Sequence, residues 1–128
     1  AGRLARLKAL IAAAPPGSVS VDGLARASGT SRSVLYRLFQ GEGGLLAYDR
    51  RRRLLALYRD LVETGEHEPI ARVAERHGFA DTISLGRGFR ALFGCSPREV
   101  RVAARGEAPA IHPDQVPEVI RRMVARLH

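Results

Sequence analysis

The sequence predicts an all-α fold. Apolar residues recur every three or four positions in segment after segment, which is the spacing of an amphipathic helix. Capping residues stand before these segments, and glycines or prolines stand after them. No segment shows the strict alternation of apolar and polar residues that is typical of a half-buried strand.

The first helix is predicted from about Arg3 to Ala14, where Pro15-Pro16-Gly17 ends it. Ser20 and Ser31 are predicted N-caps of two short helices, since a serine hydroxyl can accept a hydrogen bond from a free N–H of the first turn. The core face of the first helix is predicted to carry four apolar side chains: Leu4, Leu7, Leu10 and Ile11.

A long helix follows over about residues 45–64. Pro69 suits the start of the next helix, Gly78 its left-handed end, and Asp81 the cap of the one after. Residues 96–99 read Ser-Pro-Arg-Glu, a capping box that opens another short helix. A last amphipathic helix is predicted from Gln115 to Leu127, and its apolar stripe holds Val116, Val119, Ile120, Met123, Val124 and Leu127.

Two segments, residues 21–39 and 69–89, share one plan. Each contains a short helix with an alanine, a glycine four residues later, a polar cap and a second helix that ends in an aromatic residue. This is the layout of a helix-turn-helix. We therefore predict a first helix-turn-helix lobe at 1–44, a linker helix at 45–64, a second lobe at 65–105, and a linker with a C-terminal helix at 106–128.

The second helix of a helix-turn-helix buries one face and leaves the other free for the major groove. Arg37 and Arg87 each follow a core-facing leucine by two residues, so they form a matched pair of candidate guanine readers. Tyr36 has two open interpretations, a base contact or partial packing against the linker helix. For the basic run at residues 50–53 we favour a solvated face. We expect Arg53 to pair with an acid or to cap a structural element, and a phosphate contact is the alternative.

The composition reduces the number of function classes that fit the chain. The 128 residues carry 21 Lys+Arg against 13 Asp+Glu, a net charge of +8 that favours a polyanionic partner. Aromatic residues are only 5 %, which argues against an RNA-binding module that stacks bases, and a module for anionic membranes is also less favoured. One cysteine excludes an internal disulfide. We expect no transmembrane helix, no metal, no cofactor, no enzymatic activity and a cytoplasmic location.

The sequence resembles the DNA-binding domain of AraC/XylS-type transcriptional regulators over about residues 3–102. The resemblance is strongest in Gly78-Phe79-Ala80-Asp81 and in residues 87–101, which read RGFRALFGCSPREVR. It implies two helix-turn-helix lobes with recognition helices in successive major grooves of double-stranded DNA. The base-reading positions it implies are Ser33, Tyr36, Arg37, Thr82, Ile83, Ser84, Gly86 and Arg87. The expected phosphate contacts are Ser31, Arg32, Gln40 and Arg90.

Two departures from the family pattern fall in the second recognition helix. Ile83 stands where the family usually has a polar residue, and Gly86 and Gly88 lie inside the helix. We expect the second lobe to read bases less strictly for this reason.

Two alternatives stay open, the DNA-targeting portion of a repair enzyme and a TetR-like regulator. RNA polymerase is a candidate partner, and an effector-binding domain outside this sequence is a further open possibility.

Overall fold

The computed structural model describes residues 2–64 and 68–104, and within these ranges it contains helices and no strand. The all-α prediction is confirmed. The predicted C-terminal helix, Gln115 to Leu127, lies outside the described residues. The helices are α1 (Gly2–Ala13), α2 (Val21–Ser28), α3 (Arg32–Leu38), α4 (Leu45–Thr64), α5 (Ile70–Arg76), α6 (Thr82–Phe93) and α7 (Pro97–Ala104), with a short 3-10 helix (Gln40–Glu42) after α3.

The chain divides into two compact units, Ala1–Arg53 and Leu54–His128. The division falls inside α4, so this helix contributes its first half to one unit and its second half to the other. Each unit has its own cluster of buried apolar side chains. The first unit contains α1 to α3, and the second contains α5 to α7.

The core of the first unit is mostly aliphatic. Its buried members are Leu7, Ile11, Leu24, Leu35, Phe39 and Leu45, and Tyr48 packs against them from α4. The prediction that Leu10 belongs to this core is wrong, because Leu10 is 41 % exposed. Leu7 and Ile11 stand one turn apart and take the inward position, while Leu10 lies at the edge of an open apolar groove between α1 and α2.

The core of the second unit is larger and contains aromatic rings. Phe89 and Phe93 are fully buried, and their ring centroids lie 4.7 Å apart. Tyr58 of α4 packs on both rings, with centroid distances of 6.3 Å to Phe89 and 4.8 Å to Phe93. The remaining buried members are Leu54, Leu55, Leu57, Leu61, Val73, Ala74, Phe79, Leu85, Cys95 and Val100.

The same turn ends α2 and α5. Gly29 and Gly78 both have a left-handed backbone, with φ of 66° and 82°, which only glycine adopts without strain. The residue after each glycine donates its N–H to the carbonyl of an alanine in the helix, Thr30 to Ala25 at 3.2 Å and Phe79 to Ala74 at 3.0 Å. This is the six-to-one bond of a Schellman motif, so the alanine–glycine spacing of the sequence predicts the turn correctly in both units.

The predicted caps are also confirmed. Ser20 Oγ accepts the N–H of Gly23 at 3.0 Å, and Ser31 Oγ accepts the N–H of Val34 at 3.3 Å. Asp81 accepts the N–H of Ile83 at 3.0 Å. The box before α7 is reciprocal: Ser96 Oγ accepts the Glu99 N–H, and Glu99 Oε1 accepts the Ser96 N–H. The starts of α3 and α6, the two predicted recognition helices, are therefore fixed by local hydrogen bonds.

Candidate nucleic-acid interface

The helix α3 presents one free face in the first unit. Leu35 is buried and Phe39, which follows the helix, is fully buried. The opposite face holds the predicted base readers Ser33, Tyr36 and Arg37, which are all exposed. Tyr36 is 59 % exposed, which favours an accessible ring over the alternative of packing against the linker helix.

The helix α6 presents a longer free face in the second unit. It buries Leu85, Phe89 and Phe93 at helical spacing. Four of the five predicted base readers on the other side are exposed and the fifth, Gly86, is half-buried; the set is Thr82, Ile83, Ser84, Gly86 and Arg87. The burial pattern therefore leaves the predicted reading face of each recognition helix open to solvent.

Arg37 and Arg87 occupy the same place in the two units, two residues after a buried leucine. Among the residues that the structure describes, neither guanidinium takes part in a hydrogen bond or an ion pair. An exposed guanidinium with all five N–H donors unused is a ready site for a phosphate oxygen or for the O6 and N7 acceptors of guanine.

Two of the four predicted phosphate contacts are engaged with carboxylates. Arg32 pairs with Asp22 of α2, and Arg90 Nη2 lies 3.4 Å from Glu99 Oε1 of α7. Both pairs are more than half exposed, so each contributes little to stability. The other two predicted contacts are exposed: Ser31 caps α3, and Gln40 begins the 3-10 helix behind it.

Comparison with known proteins decides the family. A family model described as a helix-turn-helix domain matches residues 24–103, from α2 to α7. The multiple antibiotic resistance protein MarA of Escherichia coli (strain K12) is 34 % identical over 98 residues, which cover 74 % of this chain and 76 % of that protein. The chain belongs to the AraC/XylS family. It is a DNA-binding transcription regulator with helix-turn-helix motifs.

Other AraC/XylS relatives match over a similar region. MarA of Salmonella typhimurium (strain LT2) is 34 % identical over 86 residues, 66 % of each chain. No solved structure matches the chain at comparable significance. The family match covers both helix-turn-helix units, whereas the TetR-like alternative accounted for the first unit alone.

Several charged residues of this AraC/XylS chain stabilise the units in ways that sequence reasoning missed. Glu42 accepts from Lys8 and from Arg51, with distances of 3.1 Å between charged atoms in both pairs. The hydrogen bond from Lys8 lowers the pKa of Glu42 and, with the Arg51 charge, outweighs the opposing effect of burial. Lys8 also lies 5.0 Å above the Tyr48 ring, a cation–π contact.

The arginines at residues 50–53 of α4 are more buried than a solvated face would be. Arg53 pairs with the buried Asp49 at 3.0 Å, which confirms the predicted acid partner of Arg53. Arg51 donates to the Glu42 carboxylate and backbone carbonyl, and Arg52 donates to the Ile11 carbonyl at 3.3 Å. Arg51 and Arg52 therefore tie α4 to the rest of the first unit, whereas the Arg53–Asp49 pair lies within α4.

A second network joins α4 and α5. Asp60 Oδ2 lies 2.8 Å from His77 Nε2 and 3.0 Å from Arg76 Nη2, and Arg76 also pairs with Glu68 at 2.6 Å. Burial raises the pKa of Asp60, but the hydrogen bonds and charges of His77 and Arg76 outweigh it, so that the pKa lies below its ordinary value. This network holds the residue just before the turn of the second helix-turn-helix.

The titratable side chains of the described residues do not form a metal site. Residues 2–64 and 68–104 contain no group of three or more His, Cys, Asp or Glu side chains that could hold a metal ion. Cys95 is buried, and burial raises the pKa of its thiol, which keeps it protonated and unreactive. In these same ranges no helix combines the length and the apolar character needed to cross a bilayer.

Proposed function

We propose that this regulator binds a specific double-stranded DNA site through α3 and α6, each in a major groove, and that it is not an enzyme. The matched pair Arg37 and Arg87 carries the proposal. Both are exposed, both are free of ion pairs within the described ranges, and both stand at the same position of a duplicated motif. The family resemblance adds that the two grooves are successive ones on a single duplex.

The proposed chemistry is direct base readout. A guanidinium donates two parallel hydrogen bonds to O6 and N7 of guanine, and each such pair discriminates against other bases by about 1–3 kcal/mol. The neighbouring readers would be Ser33 and Tyr36 on α3, and Thr82, Ile83, Ser84 and Gly86 on α6.

The proposed phosphate contacts are Ser31, Arg32, Gln40 and Arg90. They position the protein on the duplex without reading its sequence. On binding DNA, Arg32 would leave Asp22 and Arg90 would leave Glu99, and each arginine would contact a phosphate instead. The two released carboxylates would then rotate away from the DNA. Such an exchange costs little because exposed ion pairs contribute about 0–1 kcal/mol.

The proposed setting follows from the partner. We propose that the regulator acts in the cytoplasm, where it meets both chromosomal DNA and RNA polymerase. We include contact with RNA polymerase, and an effector-binding domain on another part of the full protein, as extensions of the proposal.

The test is the salt dependence of binding to duplex DNA. If the basic residues of this +8 chain, Arg32 and Arg90 among them, neutralise about six phosphates, the slope is near −5 in a plot of log affinity against log salt concentration. A slope near zero, or equal affinity for single strands, would contradict the proposal.

A matched pair of variants sharpens this test. Arg37→Ala and Arg3→Ala remove the same charge, but Arg3 is an exposed residue of α1, outside both recognition helices. We expect Arg37→Ala to reduce the preference for the specific duplex over a random one, and Arg3→Ala to leave that preference unchanged. An equal loss of preference in both variants would mean that Arg37 contributes charge and no base readout.

A further inference from the structure

The packing of the fold does not explain the exposed side chain of Ile83. It is 70 % exposed, the most exposed large hydrophobic side chain among the residues that the structure describes. It belongs to the first turn of α6, where its backbone N–H is held by the Asp81 cap. A β-branched aliphatic side chain gains nothing in water and is a weak helix former, so the fold does not explain this residue.

The surface around Ile83 has room for a small group. Ile83 lines an open concavity on α6 together with Thr82, Gly86, Arg87, Arg90 and Ala91. One turn after Ile83, a Cβ placed on Gly86 would have no atom within 4 Å. The glycine therefore leaves the flank of the isoleucine unfilled.

The charge around this apolar spot favours a nucleic-acid occupant. Arg87 stands one turn after Ile83 on the same face, and Arg90 stands at the other end of the concavity. A protein or lipid partner with an apolar group would meet two guanidiniums at this rim, whereas DNA brings phosphates and base acceptors to them.

We propose that Ile83 reads the 5-methyl group of a thymine in the major groove. The inference rests on the proposed function, in which α6 is a recognition helix. Of the four bases, thymine alone presents a methyl group in that groove. Ile83 supplies an aliphatic contact, and Gly86 lets the methyl group approach the helix backbone.

The position of this thymine relative to the guanine of Arg87 follows from the helix. Ile83 and Arg87 are four residues apart, about 6 Å along the axis of α6. With a rise of about 3.4 Å for each base pair, the thymine lies about two base pairs from the guanine that Arg87 contacts.

The experiment starts from the duplex that the wild-type chain selects from a random pool. Each thymine is replaced in turn by uracil, which differs only in lacking the methyl group. We expect the replacement to weaken binding about threefold to fivefold at one thymine near the position that depends on Arg87, which is the value of one buried methyl group. A selected site without such a thymine, or without any effect of uracil, would overturn the inference.

Three variants assign the effect to Ile83. Ile83→Ala should bind the thymine and uracil duplexes equally, while Ile83→Val should keep the discrimination. Val62→Ala is the matched control, since Val62 is an exposed β-branched residue of α4 in the same unit and should keep the discrimination as well. Equal weakening of both duplexes in Ile83→Ala, with the thymine preference retained, would overturn the inference.

The failure of this inference is distinguishable from the failure of the proposed function. If uracil has no effect but Arg87→Ala still relaxes the selected site, only the role of Ile83 is wrong. If neither arginine variant alters the selected sequences, the proposed base readout is wrong and the thymine contact is wrong with it.

Discussion

The two helix-turn-helix units share a turn but differ in how they stabilise the recognition helix. Gly29 and Gly78 end the first helix of each unit in the same way, and a side-chain cap begins the second helix in both. Yet α3 has seven residues and no internal glycine, whereas α6 has twelve residues and two internal glycines.

Burial explains why α6 tolerates its glycines. Each glycine costs about 0.5–1 kcal/mol relative to alanine, while a buried phenylalanine gains about 1.5–3 kcal/mol. The helix buries Phe89 and Phe93 in an aromatic cluster with Tyr58. The turn is therefore set by local sequence, whereas the recognition helix depends on the core beneath it.

The largest expected effect is the loss of stability when a buried phenylalanine is removed from the core of either unit. Phe89→Ala should lower the free energy of unfolding by about 4–5 kcal/mol, and Phe39→Ala by about 3–4 kcal/mol. Both side chains are fully buried, but within the described ranges Phe89 has two aromatic neighbours and Phe39 has one, Tyr48 at 5.5 Å. Denaturant unfolding of the full chain, followed by circular dichroism, measures the difference. A larger loss in Phe39→Ala would break the comparison.

The next effect is on DNA affinity. Arg37→Ala should weaken binding to the selected duplex by about 1–3 kcal/mol, and Arg87→Ala should weaken it less, because Gly86 and Gly88 make the helix that carries Arg87 less rigid. Titration of both variants against one duplex, at one salt concentration, makes the comparison. If Arg87→Ala is the more damaging variant, the glycines do not limit readout by α6.

Acid should weaken the second unit through Asp60. Its pKa is lowered in the folded state from its ordinary value of 3.8, so its contribution is fully present above that value and is lost as the pH falls through the lower folded pKa. Asp60→Asn should therefore destabilise the protein by about 1 kcal/mol at pH 7, and the difference from wild type should shrink toward pH 3.

The control for Asp60 is Glu63→Gln on the same helix. Glu63 pairs with Arg59 in an exposed i,i+4 pair, which is worth only about 0.3–0.5 kcal/mol. Unfolding curves of both variants at pH 7 and pH 3 measure the two losses of stability and their change with pH. A loss in Glu63→Gln as large as in Asp60→Asn would show that the α4–α5 network has no special role.

The smallest expected effect, replacement of a helical glycine by alanine, differs between the two units. Gly86→Ala should raise the free energy of unfolding by about 0.5–1 kcal/mol, since an added Cβ meets open space and alanine favours the helix. Gly23→Ala in α2 should bring no gain, because its Cβ would stand 2.9 Å from the Ser20 hydroxyl that caps this helix. Thermal unfolding compares the two, and a gain in Gly23→Ala would contradict this reading of the cap.

The sequence predicted the parts of the fold that depend on neighbours in the chain. The bounds of α4, the caps Ser31 and Asp81, and the turn at Gly78 involve residues at most five positions apart, and the structure confirms them. The reading faces of α3 and α6 are confirmed as exposed faces, since the spacing of buried leucines and phenylalanines fixes the opposite side. Their contacts with bases stay predictions.

The missed features depend on residues far apart in the chain. Lys8 and Glu42 are 34 positions apart, and Arg101 donates to the Glu68 carbonyl across 33. Helical spacing also failed at Leu10, because periodicity shows which residues share a face but not where the neighbouring helix stops covering it. Such pairings depend on how the helices pack against one another, and a local sequence pattern carries no information about that packing.

The most direct test of the account is selection of bound duplexes from a random pool by the wild-type chain, Arg37→Ala and Arg87→Ala. In the proposed function, α3 and α6 read different parts of one site. We therefore predict a wild-type site with two preferred blocks, of which Arg37→Ala loses one and Arg87→Ala relaxes the other. Loss of the same block in both variants, or an unchanged site in both, would contradict this prediction.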